Sequence, residues 1–230
     1  MLSYLTSHPK SATFLSMRNQ TIHLTAKICG TAVLICGFLL INSLGKPETR
    51  NSVSLTSPSS YQGVTPLQKE VSHLLERALR QHGERWSQSQ FKSAVRGITD
   101  VVKLYDFSPS FVLGLIKTES SFRIDAVSPV GAVGLTQVIP STADLTSRTE
   151  KIPYSGVEDL YDPGKNIRIG FAYLNWMRET YGSIEAALVA YNCGPAILER
   201  RGAEKGLPKI PYRRDVWNAE RAFSFQVGAS

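Results

Sequence analysis

The stretch S-P-S-F-V-L-G-L-I-K-T-E-S, residues 108–120, sets the terms on which the rest of the chain is read. Ser108 has the side chain of a helix cap. Pro109, with φ already fixed near the helical value and no N–H to leave unpaired, suits the position after it. Val112, Leu115 and Ile116 then recur at helical spacing and form one apolar stripe. The next place on that stripe, seven residues after Val112, belongs to Glu119. An acid therefore points where apolar residues point. Two effects raise the pKa of a carboxyl so placed: desolvation disfavours the charged form, and the carbonyl ends at a helix C-terminus repel negative charge. A proton held near neutral pH is what a general acid requires. On spacing alone the blander reading stands ahead, a Glu at the rim of the stripe that turns its head to water or pairs with Arg123.

Helical patterning continues on both sides. Thr65 can cap and Pro66 suits a first turn, after which Leu67, Val71, Leu74, Leu75 and Ala78 recur at helical spacing until Gly83. A second helix is predicted over Gln90 to Tyr105, with Phe91, Ile98, Val101, Val102 and Tyr105 inward. Asp162 and Pro163 repeat the cap signal for a longer helix ending at Gly182, Ser183 starts another to about Asn192, and a last one covers Arg213 to Phe223. Period-two alternation is weak and no repeat has a fixed spacing. The expected class is mainly α, with little or no β.

Between these helices, S-P-V-G-A-V-G-L-T-Q-V-I-P-S-T (128–142) crowds small residues with hydrogen-bonding side chains. Glycines let a backbone approach a ligand closely. A tight turn before a helix at Thr142 explains the same composition.

The chain has 230 residues, 42% of them apolar, enough for one ordinary core, and one domain is expected over residues 66–230. Residues 1–45 read as an address: they hold no Asp or Glu, and Lys10, Arg18 and Lys27 precede an apolar run from Ile28 to Ile41. At roughly 1.5 Å per residue that run falls short of the roughly 30 Å hydrocarbon core of a bilayer. A signal peptide cleaved after Ser43 or Gly45 fits it best; an uncleaved anchor over residues 26–44 is the competing reading, and Met17 is an alternative start. Both readings put the bulk of the chain outside the cytoplasm, in the periplasm or cell envelope. Residues 46–65, rich in Ser, are expected to be a flexible linker reaching about 25 Å.

Cys29 and Cys36 lie in the address segment, so Cys193 alone remains and no internal disulfide can form. Cys193 is read as a small buried hydrophobe rather than a reactive thiol. Without residues 1–45 the chain keeps 23 basic and 19 acidic residues, a net +4. So mild a charge suits an anionic wall polymer and equally suits simple solubility.

Four blocks, T-E-S-S-F (118–122), S-P-V-G-A-V-G-L-T-Q-V-I-P-S-T-A (128–143), N-I-R-I-G-F-A-Y-L (166–174) and A-L-V-A-Y-N-C-G (187–194), stand in order with plausible gaps. Together they resemble the soluble lytic transglycosylase family over roughly residues 100–220. The resemblance implies a goose-lysozyme-like helical domain in which Glu119 matches the catalytic acid. Ser128, Gln137 and Thr142 match positions lining a sugar cleft, and Tyr191 and Asn192 match the block beside the acid, with Tyr191 bonding near the carboxyl or the scissile sugar. Thr136 stands where Met is usual, which leaves open the packing under one sugar. Cys193 replaces a smaller residue, and the segment after Asn192 is short. Asn166, Tyr173, Trp176 and Tyr181 are read as core or capping residues, Glu158 and Asp159 as loop solvation, and Asp162 as a helix cap.

The implied activity is non-hydrolytic cleavage of peptidoglycan at the β-1,4 bond between N-acetylmuramic acid and N-acetylglucosamine, leaving 1,6-anhydro ends, with no metal or cofactor required. Ordinary glycosidases use two carboxyl groups, about 5 Å apart or more; only Glu119 lies in the matched blocks. A hydrolase of the same fold would need Asp125 or Asp144 as the second, and a non-catalytic wall-binding or secretion-apparatus module would need neither. The implied partner is the glycan strand, with an envelope or secretion-machine protein as a further candidate. Nucleic acid is not implied, membrane contact would come only through the N-terminal segment, and the chain is expected to be a monomer.

Overall fold

Thr65 and Pro66 begin the first helix, α1 (Pro66–His82), as the cap signal predicts. The Thr65 hydroxyl accepts the Gln68 N–H at 3.2 Å and the Gln68 side chain accepts the Thr65 N–H at 3.0 Å, a capping box that satisfies two otherwise orphaned donors. Gly83, at φ 71°, ends the helix in the left-handed conformation. The computed structural model describes residues 64–201 and 206–224, so the expected address segment 1–45 and residues 46–63 of the expected linker lie outside the described residues.

α2 (Gln88–Tyr105) starts two residues earlier than its apolar pattern suggests, because Ser87 and Gln90 form a second capping box. In α3 (Pro109–Ser120) the Ser108 hydroxyl takes the Phe111 N–H at 3.1 Å. α4 (Pro140–Glu150) starts at Pro140, which puts Thr142 inside its first turn instead of at its start. A 3-10 turn, Val157–Tyr161, leads to α5 (Pro163–Tyr181), where Asp162 caps by accepting the Lys165 N–H at 2.8 Å. α6 (Ile184–Cys193) follows from Ser183, and the short α7 (Ala196–Arg201) was not foreseen from the sequence. α8 (Pro211–Ser224) begins two residues before Arg213, since Pro211 is already shaped for a first turn. Among the described residues the only β features are isolated bridges, Val127 with Val133 and Val133 with Val138, so the class is mainly α as expected.

α3 is enclosed by the others. Val112, Leu115 and Ile116, the stripe that leads to Glu119, are fully buried with Leu75 of α1, Ile98 of α2, Phe171 of α5, Leu188 of α6 and Val216 of α8. A smaller apolar cluster, Val133, Val138, Ala143, Leu160 and Ile169, pins the segment after α3 to α4 and α5. α3 ends in a tight reversal: Ser121 and Phe122 take φ of 52° and 67°. A left-handed conformation costs roughly 1–2 kcal/mol per L-residue. Burial offsets it, for the Phe122 ring is fully buried against His82 and Phe223, and its carbonyl accepts the Trp86 indole N–H at 3.2 Å.

α3 and α8 approach closely at Gly114. A Cβ there would lie 2.7 Å from the Glu220 backbone nitrogen and 3.1 Å from the Val216 carbonyl oxygen, so the two helices must separate to admit a methyl group. Overpacking of this kind costs about 1–3 kcal/mol. Gly114→Ala is therefore expected to lower the thermal midpoint by several degrees in calorimetry, and an unchanged midpoint would show that the contact is not tight.

Candidate active site

The C-terminal turn of α3 presents Glu119 half-buried, continuing the apolar stripe. Burial holds its pKa up at about 7, against a smaller downward pull from the Tyr212 hydroxyl, which donates a hydrogen bond to Oε1. At the end of α3 the Lys117 carbonyl accepts the Ser121 N–H, and the Ser120 carbonyl accepts both the N–H and Nε–H of Arg123. Among the described residues no ion pair joins Arg123 to Glu119.

Tyr212 comes from the first turn of α8 and is buried. Its phenol is held well above the usual tyrosine range, first by burial and next by the charge of Glu119, so it remains a donor. Tyr191, on α6, is raised for the same two reasons in the same order. Its hydroxyl, however, donates to the Thr136 carbonyl at 2.7 Å and not to the carboxyl. The bond to Glu119 is made by a residue that the sequence reading left just outside its last helix. A signal for it exists: Tyr212, Val216, Ala219 and Phe223 lie at helical spacing and are the buried residues of α8.

The segment 126–138 is shaped by its own polar groups. Ser128 accepts the Ala132 N–H on its hydroxyl at 3.0 Å and donates its backbone N–H to the Ala132 carbonyl at 2.9 Å, closing a turn whose tip, Val130, is exposed. Gln137, in the left-handed conformation at φ 49°, donates from Nε2 to the carbonyls of Ala126 and Gly134 at 3.1 and 2.9 Å. The segment is bolted to α5 by Asn166, fully buried: Oδ1 accepts the Thr136 N–H and hydroxyl at 2.8 and 2.7 Å, and Nδ2 donates to Val133 and Leu160 carbonyls at 2.9 and 3.0 Å. Thr136 is likewise fully buried, so its side chain faces α5 and not the surface. Opposite it stands Gly170, where a Cβ would come within 2.3 Å of the Thr136 hydroxyl.

Of the sequence-derived residues, the structure groups Glu119 with Tyr191 electrostatically, and Ser128 with Gln137 in one loop. Among the described residues no hydrogen bond ties Ser128, Gln137, Thr142 or Asn192 to Glu119. Asn192 is exposed, its Oδ1 facing the Cys193 thiol at 3.5 Å. Cys193 is exposed as well, contrary to the expectation of a buried hydrophobe; α6 leaves the core after Tyr191. Tyr173 stacks with Trp176 and packs at 5.8 Å against Tyr191, supporting it from behind. Asp159 does more than solvate a loop, since it pairs with Lys165 and accepts the Ser155 N–H at 2.6 Å. Neither candidate second carboxylate contributes to the Glu119 shift: Asp125 is exposed, while Asp144 is paired with Arg148 at 2.8 Å and acts on Tyr154.

The helical fold is that of the soluble lytic transglycosylases. The 70 kDa soluble lytic transglycosylase of Escherichia coli superposes over 70% of this chain and 31% of its own, with a TM-score of 0.52 and 22% identity. An inactive mutant of lytic transglycosylase Slt from Pseudomonas aeruginosa gives the same TM-score over 70% and 30%, at 24% identity. Residues 99–211 match the family model described as the Transglycosylase SLT domain. In sequence, the soluble lytic murein transglycosylase of Salmonella typhimurium is 39% identical over 92 residues, 39% of this chain and 14% of that protein. The transglycosylase of Enterobacteria phage PRD1 is 39% identical over 90 residues, 39% of this chain and 31% of its own. The chain thus matches less than a third of the length of these relatives.

A raised carboxyl pKa has a stability consequence of definite sign. The folded state prefers protonated Glu119, so the contribution is complete below the unfolded pKa, near 4.5, and is lost as pH rises through about 7. Glu119→Gln is expected to unfold at the same denaturant midpoint as the parent at pH 4. At pH 8 it should be more stable by on the order of 2 kcal/mol; equal stability at both pH values would mean that the carboxyl is well solvated.

Proposed function

We propose that this protein is an exported peptidoglycan lytic transglycosylase of the cell envelope, with Glu119 acting first as acid and then as base. The observation that carries the reading is one half-buried carboxyl, with a pKa of about 7, gripped by a neutral phenol and uninfluenced by any second carboxylate among the described residues. Such a group can protonate the bridging oxygen of the β-1,4 link between N-acetylmuramic acid and N-acetylglucosamine as the C1–O bond breaks. The substrate's own acetamido oxygen would stabilise the positive charge at C1. The Glu119 carboxylate left behind keeps the Tyr212 hydrogen bond, which favours its charged form. It then takes the proton of the 6-hydroxyl as O6 bonds to C1, which closes the 1,6-anhydro ring and restores the acid without consuming water.

Under this reading Ser128, Gln137, Thr142, Tyr191 and Asn192 line the sugar-binding cleft. Ser128 and Gln137 would do so through a loop whose shape their own hydrogen bonds maintain. Hydrolysis by the same fold would require a second carboxylate near Glu119, and the engagement of Asp144 with Arg148 argues against its serving.

Mass spectrometry of sacculi digested by the purified protein is expected to show anhydro ends, lighter by one water than reducing ends; reducing ends would identify a hydrolase. Glu119→Gln should lose about 10²-fold or more of this activity while still binding sacculi. If the unaltered protein binds without releasing product, it is a non-catalytic module. Because the Tyr212 bond lowers the Glu119 pKa, Tyr212→Phe should move the basic limb of the kcat/KM profile up, by about one pH unit. A limb that stays in place would remove Tyr212 from the site.

A further inference from the structure

α5 has two working faces. Asn166 and Gly170 meet the loop of the candidate active site, whereas Lys165 and Arg168 lie about 150° around the helix from them at 3.6 residues per turn. On that opposite face a cavity of about 510 Å³ is bounded by α1, α2 and α5, with Arg96, Lys165 and Arg168 as its cations and Asp100 and Asp162 as its acids.

The acids are already engaged. Asp162 accepts the Ser93 hydroxyl at 2.9 and 3.0 Å and the Lys165 N–H at 2.8 Å, and Asp100 accepts Nη1 of Arg168 at 3.2 Å. Lys165 is paired with Asp159. What remains unspent is a set of donors. Arg96 is exposed, with no hydrogen bond or ion pair among the described residues. Arg168 Nε is shielded from solvent and has no partner. Gln68 commits its side-chain oxygen to the cap of α1, which leaves its amide NH2. Nε is closed to a ligand as it is to solvent, but among the described residues Arg168 hydrogen-bonds only through Nη1, so Nη2 joins Arg96 and the Gln68 amide as donors that an acceptor can reach. Guanidinium groups fit carboxylate and phosphate oxygens as paired forks. The carboxylates of Asp100 and Asp162 in the same wall oppose a doubly charged phosphate more than a singly charged carboxylate, and the volume suits a short peptide.

We propose that this cavity binds a carboxylate-bearing stem peptide of peptidoglycan, taken from a strand other than the one held at Glu119. The proposal rests on peptidoglycan being the polymer at the active site. Two attachments to one mesh hold an enzyme far more firmly than either alone, with no change in the chemistry at Glu119.

The test uses Arg96→Glu, which reverses a charge that has no partner among the described residues, in the parent and in Glu119→Gln. Calorimetric titration of the Glu119→Gln protein with the stem tripeptide alanyl-γ-glutamyl-diaminopimelate should show binding that Arg96→Glu weakens at least tenfold. Cosedimentation with intact sacculi should fall several-fold on the same change, while binding to amidase-stripped, peptide-free glycan stays as it was. No tripeptide binding, no effect of Arg96→Glu, or preferential binding of inorganic phosphate would each overturn the proposal. The two readings fail separately. Anhydro products from a protein that ignores the tripeptide remove only the stem-peptide site. Arg96-dependent tripeptide binding by a protein that yields no anhydro products removes only the catalytic reading.

Discussion

Exclusion of water lets a carboxyl group keep its proton near neutral pH, and at Glu119 that exclusion is assembled from elements far apart in the chain. The apolar stripe of α3 brings the side chain inward, α8 delivers the Tyr212 phenol to Oε1, and α6 sets a second buried phenol, Tyr191, in the field of the same charge. Burial raises the pKa and the Tyr212 bond restrains the rise. The balance lies near neutrality, where one group can both give and take a proton. The close approach of α3 and α8 at Gly114 belongs to the same arrangement, since it fixes how near the first turn of α8 comes to the end of α3.

Beside the acid, the loop that carries Ser128 and Gln137 is made rigid by a buried polar network and not by regular structure. Asn166 alone accepts from Thr136 and donates to Val133 and Leu160, and Thr136 passes its carbonyl to Tyr191. With every partner buried and satisfied, such a network fixes one geometry strongly. Thr136 in place of the usual Met is consistent with this: its hydroxyl finds Asn166, and Gly170 gives it room. α5 is thus the rigid support of the loop on one face and the wall of a charged cavity on the other.

Most helices were legible in the sequence because their signals are local. Thr65–Pro66, Ser108–Pro109 and Asp162–Pro163 each place a side-chain acceptor before a residue preshaped for the first turn, and the apolar spacing that follows needs no knowledge of partners. Where the reading slipped, Ser87 caps its helix ahead of the first apolar residue, so that periodicity dates the start too late, while Pro140 and Pro211 themselves open the first turns of α4 and α8. Cys193 was misjudged for a related reason: an apolar run through Ala190 does not reveal that the helix leaves the core before its end.

By itself the sequence determined that the chain is helical and that an acid occupies the apolar face of α3. It also determined which four blocks resemble the soluble lytic transglycosylases, because these depend on residue type and near-neighbour spacing. Only the tertiary structure decided that Tyr212, and not Tyr191, bonds to Glu119. It alone showed that Asn166 clamps the loop and that Arg96 and Arg168 are left with unused donors on the far side of α5. Those outcomes rest on contacts between residues dozens of positions apart, whose distances and desolvation are set by how the helices pack and are written in no local pattern.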